Sequence, residues 1–253
     1  MSKNFEFTQP VGIGLGGAAS LRERAVGTAA DNKAPIIAEI LAEAPSATRE
    51  ESLKLVQRLF LTPEQTPPKA VVFAAIDSGN GCTRMCAITA QLLAENVGGS
   101  VCLVEGNFRT PSLPDLFGVD NHHGLADSLR QEGAIRGFAK QAGRENVWLL
   151  SSGSLGRDSA SLLNCDRMKE RIAELRSTFD YLLIDAPPLN SCADAMVFGR
   201  LADGIVLVLE ANATRREAAL RVMESLRATR IPVLGAVLNK RTFPIPSALY
   251  KRL

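Results

Sequence analysis

Residues 71–83 read VVFAAIDSGNGCT. The apolar run from Val71 to Ile76 predicts a buried strand. Ser78, Gly79, Asn80 and Gly81 follow as a short glycine loop, and residues 83–96 predict a helix. Strand, glycine loop and helix in that order make a phosphate cradle, in which loop N–H groups and the helix N-terminus face an anion. A lysine in such a loop neutralises the β- and γ-phosphates, and a Ser/Thr hydroxyl holds Mg²⁺. Gly79, Gly81 and Thr83 stand in the required places, but the lysine position is Cys82. The scaffold of a nucleotide site is there without its principal cation.

Outward from that stretch, strands and helices alternate. Strands are expected over 70–76, 100–104, 147–151, 181–184, 204–209 and 233–238, and helices over 83–96, 161–178, 193–201 and 214–228. Strand runs that are apolar without alternation mark a sheet buried on both faces. The fold class is therefore α/β, a doubly wound, mostly parallel sheet in a three-layer sandwich, with its ligand at the carboxyl ends of the strands. Residues 113–141 read as an irregular helical insertion. The stretch FDYLLIDAPPL carries four apolar residues into Asp185 at a strand tip, the arrangement by which a carboxylate reaches Mg²⁺ through water.

Two domains are expected: a flexible segment over 1–47 and a P-loop NTPase-like domain over 48–253. Gly12, Gly14 and Gly17 have dinucleotide-fingerprint spacing but no preceding strand, so they read as linker. A short helix is expected over 34–44. Thr48 and Glu51 fit a capping box, and Leu53, Val56, Leu59 and Phe60 form an apolar stripe. That helix either packs on the domain or serves an interaction.

The 253 residues, with an apolar fraction of 46% and a formal net charge of +2, offer no case for nucleic acid as a partner. No run of about 18 apolar residues occurs to span a membrane. The N-terminus lacks the apolar core of a signal peptide. Five cysteines, an odd number, read as reduced thiols, so a cytoplasmic location is expected. His122 and His123 have no metal-ligand spacing and read as exposed loop residues.

The second strand ends in VCLVEGNFRTPSL, followed by GLADSL, and residues 182–240 run LLIDAPPLNSCADAMVFGR onward to VLGAVLNK. In these motifs the chain resembles the bacterial tyrosine autokinases of capsule and exopolysaccharide synthesis, within the MinD/ParA-like class of P-loop ATPases. The resemblance covers about residues 50–240. It implies ATP or ADP with Mg²⁺ as cofactors, held by residues 78–84. It implies Thr83 and Asp185 at the metal, Glu105 and Asp185 as catalytic carboxylates, and Tyr250 as phosphoacceptor. It further implies a membrane-anchored chain-length partner (a polysaccharide copolymerase), a location peripheral to the inner membrane through that partner, and possible homo-oligomers.

Departures from the family pattern cluster. The loop PGEGKST is here SGNGCTR, and the acidic motif DxDxRxP has Glu105 and Asn107 at its two Asp positions, keeping Arg109 and Pro111. The ring-forming ExxRxxR is replaced by Glu51, Lys54 and Gln57, and the tyrosine-rich tail by the single Tyr250. Were the helix N-terminus to lower the Cys82 pKa, a thiolate there would repel phosphate. Arg84 is the nearest substitute cation, but helical geometry turns it away from the phosphates. Arg109 reads equally as a phosphate contact or a structural ion pair, and Asp194 as a helix cap. Three functions follow: a pseudokinase or weak kinase regulating the membrane partner, an active autokinase with rearranged groups, or a MinD/ParA-type positioning ATPase.

Overall fold

Strand β1 (Ala70–Ala75) is buried at every residue, as its unbroken apolar run requires. Val71, Phe73 and Ala75 enter the core on one face of the sheet, and Ala70, Val72 and Ala74 enter the core on the other. In this computed structural model the described residues are 46–62, 66–154 and 165–240, with Ile37 and Leu163. The expected glycine linker and Tyr250 lie outside them, as does most of 1–47. Ile37 is helical and buried.

The elements run in order: α1 (Ser46–Phe60), β1, α2 (Cys82–Asn96), β2 (Val101–Glu105), α3 (Leu113–Phe117) and α4 (Leu125–Arg130). A 3₁₀ turn (Ile135–Phe138) leads to β3 (Lys140–Gln141) and β4 (Val147–Leu150). Then come α5 (Asp166–Thr178), β5 (Tyr181–Ala186), α6 (Asp194–Leu201), β6 (Gly204–Glu210), α7 (Arg216–Ala228) and β7 (Val233–Asn239). Among the described residues seven strands are ordered β3-β4-β2-β5-β1-β6-β7, all parallel except β3 against β4. This is the doubly wound sheet expected from the sequence. The edge strand β3 is new: two polar residues carry no strand pattern. From β1 the chain winds toward β2, and from β5 it jumps across β1 to β6. The carboxyl end of β1 is therefore the switch point where such sheets bind ligands.

Helices α1 and α2 cover one face, with Leu55, Val56 and Phe60 packed among Phe73, Met85 and Ile88. The packed alternative for α1 is thus the observed one. Its start at Ser46 puts Thr48 inside the helix, not at a cap, because helical geometry extends upstream of the expected box. Helices α5, α6 and α7 cover the other face through Ile172, Phe198 and Val222. The start expected for α5 at 161 lies outside the described residues.

The insertion after β2 is helical, as expected, and is fastened by one buried arginine. Arg171 donates from Nε to the Ser128 carbonyl (2.9 Å), from Nη1 to the Gly133 carbonyl (2.8 Å) and from Nη2 to the Gln131 carbonyl (2.9 Å). It also pairs with Glu174 at 2.6 Å. Three carbonyls, at the end of α4 and in the loop after it, thereby gain donors that regular structure would have supplied.

Candidate nucleotide site

The loop between β1 and α2 needs two left-handed residues, and glycine occupies both: Gly79 at φ +83° and Gly81 at φ +82°. Gly81 is the N-cap of α2 and supplies no side-chain cap, so the first N–H groups of the helix stay available to an anion. A Cβ on Gly81 would lie 2.4 Å from Asn239 Nδ2. Ser78, Gly79, Asn80, Gly81, Cys82 and Thr83 all line one cleft of about 250 Å³, together with Asn107 and Ser112. After the DAPP segment, Leu189 and Asn190 donate backbone N–H bonds to the Ala75 and Ile76 carbonyls, and Asn190 Nδ2 donates to Asp77.

Thr83 donates its hydroxyl to Asp185 Oδ2 at 2.6 Å, and Ser112 Oγ stands 3.4 Å from the same hydroxyl. Asp185 is buried, and its Oδ1 has no hydrogen-bond partner among the N and O atoms of the described residues. The Cys82 thiol lies beside Asp185 and favours its charge. An orphaned carboxylate oxygen beside two hydroxyls is a hard-oxygen donor set that fits a hydrated Mg²⁺. When bound, such an ion neutralises polyphosphate charge. The polyphosphate itself fits the open N–H groups of the loop and of α2.

Cys82 is half-buried. Burial, and then the negative charge of Asp185, hold its thiol well above the usual range. The thiolate considered from sequence does not form, because desolvation and a neighbouring carboxylate outweigh the helix N-terminus. Cys82 is thus a neutral group where a cation would stand. Arg84 is exposed and is among the residues at the cleft, in the first turn of α2.

Glu105 is fully buried, in register with Asp185 across β2 and β5. Its Oε1 accepts from Asn107 N–H (3.1 Å), and its Oε2 accepts from Ser112 and Leu113 N–H (2.8 Å each). Its carboxylate therefore organises the loop 107–113. Burial first, and then Asp185, push its pKa up. Asn107 accepts N–H bonds from Arg109 and Thr110 and donates to the Thr110 hydroxyl, so it shapes the same loop. Arg109 turns to Asp194, 3.6 Å away, and does not line the cleft. Asp194 is the first residue of α6; Ala193 is the N-cap and makes no side-chain cap bond, which corrects the expected capping role. His122 and His123 are exposed, and Cys82, Cys86, Cys102 and Cys192 form no disulfide among the described residues. In α1, Lys54 pairs with Glu50 and Glu51 on the surface.

Three residues that sequence reasoning passed over meet the loop from the ends of β6 and β7. Lys240 Nζ donates to the Gly79 carbonyl at 2.7 Å and pairs with Glu210 at 3.1 Å. Asn239 Nδ2 donates to the Asn80 carbonyl at 2.9 Å, and Asn80 Nδ2 donates to Glu210 at 3.2 Å. Their only sequence signal is a polar ending to an apolar strand.

No protein-family model matches the chain. It is 29% identical over 171 residues to the tyrosine-protein kinase YwqD of Bacillus subtilis, covering 68% of this chain and 72% of that one. It is 25% identical over 173 residues to the tyrosine-protein kinase CpsD of Streptococcus pneumoniae, covering 68% and 76%. This chain is a homologue of the bacterial tyrosine-protein kinases. A further homologue is the succinoglycan biosynthesis transport protein ExoP of Rhizobium meliloti, 28% identical over 210 residues, of which the match covers 26% against 81% of this chain. Among solved structures, the chimerical protein CapA2B2 superposes with a TM-score of 0.73 at 22% identity over 81% of this chain and 90% of that one. The kinase domain of the Escherichia coli tyrosine kinase ETK gives 0.65 at 22% identity over 71% of each. MinD from Pyrococcus horikoshii, solved with Mg-ADP, gives 0.59 at 22% identity over 73% and 76%. These structural likenesses share the P-loop fold of this homologue.

Proposed function

We propose that this chain is a kinase-like protein of exopolysaccharide or capsule biosynthesis that binds Mg-ATP or Mg-ADP at residues 78–84. It turns nucleotide over weakly or not at all and acts by contact on a membrane-anchored polysaccharide copolymerase. That partner would hold it at the cytoplasmic side of the membrane. The observation that carries this reading is Cys82 in the lysine place, in a loop that keeps both left-handed glycines and the Thr83–Asp185 pair. Open backbone N–H groups and a carboxylate–hydroxyl pair suited to Mg²⁺ support polyphosphate binding. Loss of one charge-stabilising group of this type costs about 10²–10³ in rate. The named relatives, tyrosine kinases and a succinoglycan transport protein, support the setting.

Thermal melts with Mg²⁺-ATP and Mg²⁺-ADP test binding: a ligand at 100 times its dissociation constant adds about 2.7 kcal/mol. Autophosphorylation measured beside a lysine-containing relative tests turnover. An equal rate, abolished by Asp185→Ala and kept in Cys82→Ala, would replace this reading with an active kinase. No melting shift with either nucleotide would leave a scaffold role alone.

A further inference from the structure

The phosphate loop is gripped from behind. Gly79, Asn80 and Gly81 line the cleft, whereas Lys240 and Asn239 do not. Lys240 takes the Gly79 carbonyl at 2.7 Å, and Asn239 takes the Asn80 carbonyl at 2.9 Å. A trans peptide is planar, so its C=O and the N–H of the next residue point in opposite directions. Drawing the Gly79 carbonyl toward Lys240 turns the Asn80 N–H away from Lys240, and drawing back the Asn80 carbonyl does the same for the Gly81 N–H. Neither N–H donates a hydrogen bond among the described residues. Two consecutive open N–H groups in a loop with left-handed glycines form an anion-binding nest.

We propose that Lys240 and Asn239 are positioning residues that hold this loop as a preformed nest for a di- or triphosphate chain. Glu210 keeps the clamp in place: it pairs with Lys240 at 3.1 Å and accepts from Asn80 Nδ2 at 3.2 Å. Its own backbone N–H is tied to the Thr214 hydroxyl at 2.8 Å. Here a lysine from another strand organises the loop beforehand, and that lysine acts through the backbone of the loop. This assignment rests on the proposed reading that the loop takes nucleotide.

Isothermal titration of the full chain with Mg²⁺-ADP, and separately with inorganic pyrophosphate, tests it. Lys240→Met and Asn239→Ala are each expected to weaken both ligands about tenfold or more, since a hydrogen bond from a charged donor is lost or the second carbonyl is released. Lys240→Arg, which keeps a cationic donor, is expected to restore most of the affinity. A lower melting temperature in Lys240→Met with wild-type affinity for both ligands would mean a merely structural clamp and would overturn the proposal. Pyrophosphate binding without ADP binding, lost in Lys240→Met, would support the nest and remove the nucleotide reading. Failure of the unaltered chain to bind either ligand would overturn both.

Discussion

Glu105 and Asp185 face one another in register at the carboxyl ends of adjacent parallel strands β2 and β5, and both are buried. Burial raises the pKa of each, and the charge of Asp185 adds to the rise at Glu105. The folded chain therefore binds more protons than the unfolded chain between the ordinary carboxylate range and the raised folded values. Stability from this pair is full below that ordinary range and declines as pH rises through the raised values. Urea denaturation from about pH 5 to about pH 9 should show this fall. Glu105→Gln starts less stable, because an amide nitrogen then meets backbone N–H donors, but its stability declines less steeply. An identical slope in both proteins would refute the assignment.

Gly81→Ala is expected to destabilise the chain by about 1–3 kcal/mol, the usual cost of a strained left-handed residue. The new Cβ would also meet Asn239 Nδ2 at 2.4 Å and press on the contact that holds the Asn80 carbonyl. Denaturant midpoints check the first effect, and ADP titration checks the second. Gly79→Ala has open space around its Cβ, so only the backbone strain applies and the loss should be smaller.

Cys82→Lys restores a cation beside Asp185 and the mouth of the cleft. Affinity for Mg-ATP should rise, and ATP hydrolysis should increase by up to about 10²–10³. Steady-state hydrolysis of the variant, with Asp185→Ala as the control, measures the gain. If neither affinity nor rate changes, the missing charge is not what limits this site.

Arg171→Ala removes the donors of three loop carbonyls and leaves Glu174 without its buried partner. A loss of about 1–3 kcal/mol is expected, the usual cost of leaving such groups without their partner. By contrast, Arg109→Ala breaks a pair whose arginine is 59% exposed, so its stability should change little. Paired urea melts of the two variants give the comparison directly.

The strand order could not be read from the chain, but the strands themselves could. Six of seven announce themselves as apolar runs, and only β3 escapes, since Lys140 and Gln141 lack any pattern. At the site, Ser78–Thr83 and Asp185 stand out because a strand, a glycine loop and a strand-tip carboxylate are local signals. Orientation was less legible. Asp194 was expected to cap a helix and instead pairs with Arg109.

The sequence by itself determined that a parallel sheet buried on both faces carries a phosphate-type loop after β1, with cysteine in the lysine place. Those are properties of hydrophobic period and glycine position, which act over a few residues. Only the tertiary structure decided the state and support of that loop. Cys82 is neutral because folding desolvates it beside Asp185, distant in sequence. Lys240 reaches Gly79 across 161 positions because β7 ends beside the loop. Desolvation and long-range contact exist only once the chain has folded, so no local pattern could have announced them.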